Sequence, residues 1–91
     1  MATTIINTHN VESFTKWKEG FDAGANMRKE LGITIKGVFQ SVEDENLVTI
    51  ISEMPSPEIA KAILSSPKLR VAEQQSGVIS TPEIKILNQI I

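Results

Sequence analysis

Cysteine is absent from this 91-residue sequence, so no disulfide braces it and no thiolate is available for chemistry or metal binding. Histidine occurs once, at His9. One imidazole without thiolates would leave carboxylates to supply every other ligand of a metal centre, and no His-x-x-x-His spacing occurs. No metal site is expected. Aromatic residues are scarce, with three Phe, one Trp and no Tyr. No apolar run approaches the ~20 residues that span a bilayer. The start, Met-Ala-Thr-Thr-Ile-Ile, lacks the basic region and apolar core of a secretory signal, and a cytoplasmic location is the expectation. An excess of positive charge is missing too. Nine Lys and Arg stand against eleven Asp and Glu, scattered along the chain, which argues against a nucleic-acid face. There is no Gly-rich phosphate loop, nucleophile elbow or paired-carboxylate motif. The acidic run Glu43–Asn46 is too short for a calcium loop and lacks its glycine.

What is present reads as one domain over residues 1–91, with the ordinary balance of a globular chain, 41% hydrophobic and 22% charged. A chain this short buries only about 60–65% of its unfolded surface, so association with a second copy would help it. The β-branched run Ala2 to Thr8 predicts a strand. Ser13 then caps an amphipathic helix that runs unbroken to about Leu31, with Gly32 closing it. Phe14, Trp17, Phe21, Ala25 and Arg28 share one face of that helix at ~100° per residue. Ile33 to Val42 and Leu47 to Glu53 predict a hairpin across the polar turn, with Ile33, Ile35 and Phe39 on one face of the first strand and Val38 and Val42 on the other. Apolar residues on both faces imply a sheet covered on two sides. Ser56 and Pro57 open a helix, Ser66 and Pro67 a second short one, and Gly77 closes it. A last strand spans Glu83 to Asn88, with Gln89–Ile91 as an extension. The order β-α-β-β-α-β is the ferredoxin-like arrangement, an α+β fold with a four-stranded antiparallel sheet.

Four residues carry the chemical interest. His9 is the group best suited to acid–base work near neutral pH; the plainer alternative is a turn histidine bonded to a nearby carbonyl. Arg28 is a guanidinium on an apolar stripe, fit for an anionic ligand, for a glutamate of another segment, or for snorkelling at the helix end. Trp17 and Phe21, one turn apart, form either a ligand wall or plain core.

The sequence resembles the dimeric α+β-barrel superfamily, and within it the small single-domain proteins related to antibiotic-biosynthesis monooxygenases. The likeness rests on His9-Asn10-Val11, on Phe14-x-x-Trp17-Lys18-x-x-Phe21-Asp22 and on Arg28-x-x-x-Gly32-Ile33. It continues through Val38-Phe39, the Glu43–Asn46 turn before Leu47-Val48, Ser65-Ser66-Pro67-x-Leu69-Arg70, Gly77-Val78 and Pro82-Glu83-Ile84. The resemblance implies a homodimer whose two sheets close into a barrel. It implies a cavity and, among its members, cofactor-independent monooxygenases, cyclases, isomerases and haem-degrading enzymes. The absence of Tyr removes any mechanism that relies on one. The only His precedes the first helix, which rules out haem ligation from a later helix. No cofactor is expected.

Two functional expectations follow. One is a protein that binds a small, partly apolar, anionic metabolite, with monooxygenase- or cyclase-like chemistry open to it. Arg28, Trp17 and Phe21 would be ligand-binding and His9 catalytic. The other is a non-catalytic homodimeric interaction module. The residues leave open whether the chain is an enzyme.

Overall fold

In a computed structural model, which describes residues 3–91, strand β1 (Thr3–Asn10) leads into helix α1 (Phe14–Ala23) and a short helix α2 (Ala25–Glu30). Strands β2 (Thr34–Gln40) and β3 (Leu47–Met54) form the hairpin; α3 (Pro57–Leu64), α4 (Pro67–Gln75) and β4 (Glu83–Asn88) complete the chain. The sheet is antiparallel in the order β2-β3-β1-β4, the ferredoxin-like topology, with β1 and β3 inside. Ala2, placed in the first strand by the sequence, lies outside the described residues. Gln89–Ile91 stay outside β4, and Ile90 and Ile91 are exposed.

The helix layer covers one sheet face in two separate patches. Ile5, Met54 and Ala60 form one, with Ile33, Ile63, Leu64, Ile84 and Ile86 packed around them. Val11, Trp17 and Val48 form the other, with Phe14, Phe21, Val38, Ile50 and Val78 around them. The first is aliphatic and lies under α3. The second holds all the aromatic residues of α1. Ser56 caps α3 by accepting a hydrogen bond from the Ile59 amide at 3.2 Å, and Pro57 fills the first helical position. Gly32 (φ 79°) and Gly77 (φ 90°) take left-handed backbone where a Cβ would be strained.

Three expectations are corrected. The long helix is broken at Gly24, whose amide donates to Phe21 O in a tightened turn and whose carbonyl starts α2 by accepting from Arg28 N. Glycine costs about 1 kcal/mol in a helix relative to alanine, and here the side chain of Arg28 replaces the lost continuity. Second, Ser13 sits at the N-cap of α1 but its side chain makes no capping bond; Asn46 Oδ1, from the hairpin, accepts from Phe14 N at 3.1 Å instead. Third, β2 carries a bulge. Ile35 pairs with Ser52 and Gly37 with Ile51, leaving Lys36 as the extra residue. The bulge reverses the alternation beyond it, so Val38 joins Ile33 on the helix side while Phe39 turns to the open face, 52% exposed. Val42 lies beyond the strand and is fully exposed.

The open face presents Ile6 opposite Ile51, with Leu47, Phe39 and Leu87 nearby. Phe39 and Leu87 are exposed there, and Phe39 lies across Gly37, where a Cβ would come within 2.6 Å of its ring. No helix among the described residues is long and apolar enough to cross a membrane.

Candidate functional site

Alternation along β1 turns Thr3, Ile5, Asn7, His9 and Val11 toward the helices. His9 therefore does not sit in a surface turn. It pairs with Val48 and is only 3% exposed. Trp17, equally buried, meets the imidazole edge-on at 5.7 Å between ring centres. Trp17 in turn stacks on Phe21 at 4.9 Å and touches Phe14 at 5.8 Å. The Arg28 guanidinium lies 3.9 Å above the Phe21 ring. All four residues singled out in the sequence thus form one continuous column from strand to helix break.

Arg28 is explained in part by the break itself. Its Nη2 donates to the Phe21 carbonyl, which also accepts the Gly24 amide in the tightened last turn of α1. A cation there also complements the negative end of the α1 dipole. Gly24 makes room for the folded-back side chain, since a Cβ at that position would meet Arg28 Nη1 at 3.0 Å. One hydrogen bond still leaves most of the five guanidinium N–H groups free. Asp22 helps hold the charge on Arg28 against the effect of burial, but its carboxylate is engaged by Lys18 at 2.7 Å. The ion pairs among the described residues, Lys18–Asp22, Lys36–Glu53 and Lys85–Glu83, leave Arg28 without a carboxylate.

Burial lowers the His9 pKa from its ordinary value, and the polar backbone of His9 itself opposes the shift more weakly. The imidazole is neutral at pH 7, able to donate from one nitrogen and accept at the other. Its Nδ1 is buried without a hydrogen-bond partner. The same is true of Asn7 Oδ1, two residues earlier on the same face. Asn7 was not singled out in the sequence. The available signal was a polar residue in phase with Ile5 and His9, at a position where a covered strand calls for an apolar one.

Among the described residues no cluster of three or more His, Cys, Asp or Glu could hold a metal ion. A shallow apolar groove of about 320 Å³ lies elsewhere, along α4, lined by Pro67, Lys68, Val71, Ala72 and Gln75; none of the column residues borders it. It offers no chemistry beyond one lysine.

No family model matches the sequence, and no curated protein matches it. Solved structures do match. A candidate antibiotic biosynthesis monooxygenase from Bordetella bronchiseptica is similar with a TM-score of 0.78 at 11% identity, covering 99% of this chain and 98% of that one. SnoaB, a cofactor-independent oxygenase from Streptomyces nogalater, gives 0.76 in a variant form at 14% identity, covering 99% and 94%. A candidate antibiotic biosynthesis monooxygenase from Caulobacter crescentus CB15 gives 0.74 at 16% identity, covering 99% and 91%. At these identities the likeness establishes the fold, the one the sequence resemblance implied.

Proposed function

We propose that this chain is a cytoplasmic homodimer that binds a small, partly apolar, anionic molecule along the His9–Trp17–Phe21–Arg28 column, with cofactor-independent monooxygenase- or cyclase-like chemistry. The observation that carries the reading is the column itself. It joins a cation without a carboxylate, an aromatic wall and a buried neutral imidazole in one contiguous run. The free N–H groups of Arg28 meet the anion, and Trp17 and Phe21 bury the apolar body. His9 accepts a proton from the substrate. Its low exposure makes the imidazolium costly, so that proton must be passed on before the next cycle. SnoaB, which shares the fold, is described as a cofactor-independent oxygenase, which supports chemistry without a bound group here.

Dimerisation is supported by the open sheet face, where Ile6, Ile51, Leu47, Phe39 and Leu87 offer an apolar surface that a second sheet would bury. A solution mass of twice the 10.0 kDa chain is expected, and a monomer at micromolar concentration refutes the dimer.

Binding of benzoate and 1-naphthoate tests the ligand assignment. Arg28→Ala should weaken both by about ten-fold or more, the loss expected of a charge-assisted hydrogen bond. Unchanged binding in Arg28→Ala and His9→Ala overturns it. A quinol incubated with oxygen tests the oxygenase chemistry, and no turnover removes that part.

A second reading, a non-catalytic dimerisation module, is favoured by the closure of the column, with His9 and Trp17 each only 3% exposed. It predicts a tight dimer that binds neither carboxylate.

A further inference from the structure

Asn7 is out of keeping with its surroundings. It lies on β1, an inner strand, opposite Ile50 on one side and Ile84 on the other, and it faces the helix layer. Its neighbours on that face, Ile5 and His9, are 1% and 3% exposed, yet Asn7 is only half-buried. The helix layer is therefore open above it. The opening falls between the two core patches, since α3 covers Ile5 on one side and α1 covers Val11 and Val48 on the other. Beneath the exposed part of Asn7 two polar atoms, Asn7 Oδ1 and His9 Nδ1, are closed off from solvent and without partners. Each such atom costs about 1–3 kcal/mol, and native proteins seldom leave one unmet.

We propose that the cleft between α1 and α3 is a binding site for a neutral hydroxyl group, held between Asn7 Oδ1 and His9 Nδ1. The site rests on the reading that the helix-covered side of the sheet binds a small molecule, and it names the polar end that such a ligand carries there. Residues two apart on a strand place their Cβ atoms roughly 7 Å apart, which leaves room for one oxygen between the two side-chain tips.

The hydrogen-bonding requirements select the group. Asn7 Oδ1 only accepts, so the ligand must bring a donor. His9 Nδ1 donates in one neutral tautomer and accepts in the other. A hydroxyl donates to Asn7 while accepting from Nδ1–H, and so satisfies both atoms at once. A carboxylate brings only acceptors and would face the Asn7 oxygen with no proton between them. An ammonium brings donors, but it would carry a charge into the same surroundings that keep His9 neutral.

The experiment is a titration of ¹⁵N-labelled protein with phenol, and with benzene as the same shape lacking the hydroxyl. Phenol is expected to shift the His9 Nδ1 resonance saturably, and benzene to bind more weakly. Asn7→Leu should lower phenol affinity about three- to ten-fold, the loss of one neutral hydrogen bond, and leave benzene affinity unchanged. Asn7→Ala provides the same comparison should the leucine variant not fold. No shift at His9 Nδ1 up to millimolar phenol overturns the site, as does phenol affinity indifferent to Asn7. If phenol fails while the aromatic carboxylates bind through Arg28, the hydroxyl site alone is refuted. If phenol behaves as expected while the carboxylates ignore Arg28, the hydroxyl site stands and the anion assignment falls.

Discussion

The two core patches under the helix layer are built on different principles. The α3 patch is aliphatic, and its helix begins with a serine cap, a proline in the first turn and Glu58 at the positive end of the dipole. Ala60 is fully buried, which lets the helix lie close on Ile5 and Met54. The α1 patch has none of this economy. Its helix lacks a cap from its own N-cap side chain, breaks at Gly24, and closes over a histidine with an unpartnered nitrogen. Local rules agree with the fold in the first patch and conflict with it in the second. Such conflicts gather where a protein keeps a group for use rather than for stability.

The sharpest way to break that contrast is to truncate the centre of each patch. Trp17→Ala should cost about 3–5 kcal/mol and Ile5→Ala about 2–5 kcal/mol, read from denaturant midpoints at unchanged slope. The two should differ in a second readout. Removing the indole hydrates His9, so its pKa should return toward about 6.5 in an NMR titration, whereas Ile5→Ala should leave it low. A Trp17→Ala loss under about 1 kcal/mol would mean that the aromatic column is not the core of its half.

The next test uses His9. The unfolded chain takes up a proton at this residue near pH 6.5, while the folded chain resists until lower pH because burial opposes the charge. Between those values the unfolded state holds more protons, so stability falls as pH drops below about 6.5 and levels off once the folded imidazole is protonated. His9→Phe should abolish this slope. It should also leave stability at pH 7 unchanged or raise it by up to about 1 kcal/mol, since an unmet polar atom is removed. Glu73 acts with the opposite sign. Burial raises its carboxyl pKa, partly opposed by Arg70, so its contribution fades as pH rises through the raised value. The difference between wild type and His9→Phe therefore isolates the histidine. A clear loss of stability in His9→Phe at pH 7 would show that the imidazole is structural.

Much of the fold could be read from local pattern. The β-branched runs, Ser56-Pro57 and the glycines at 32 and 77 each act through neighbours in the chain. The misreadings come from pairing and distance. Ile33, Ile35 and Phe39 keep a clean period of two, and nothing in β2 itself shows that Lys36 drops out of register; the partner residues Ser52 and Ile51 decide it. The helix break required Gly24 to be weighed against Arg28, whose folded-back guanidinium lies 3.0 Å from where a Cβ would stand. At the site, the helical spacing of Trp17, Phe21 and Arg28 was legible, and β1 phase brought His9 to them. Asn7 was legible by the same phase. Its significance was not, because the opening above it depends on how α1 and α3 share the sheet.

The smallest predicted effect sharpens the contrast at the level of single caps. Ser56→Ala should cost about 1 kcal/mol, because the Ser56 side chain accepts from the Ile59 amide. Ser13→Ala, at the equivalent position of α1, should cost almost nothing, because its side chain makes no cap bond. The missing energy should appear at Asn46, whose Oδ1 receives the Phe14 amide from a hairpin 32 residues away. Asn46→Ala should therefore cost about 1 kcal/mol, with α1 fraying first in amide exchange. A helix capped from a distant hairpin is secured only when that hairpin is folded, whereas α3 carries its own cap. The start of α1 should accordingly exchange with β3 as one unit. If Ser13→Ala proves as costly as Ser56→Ala, the two halves are capped alike and the contrast at their helix starts disappears.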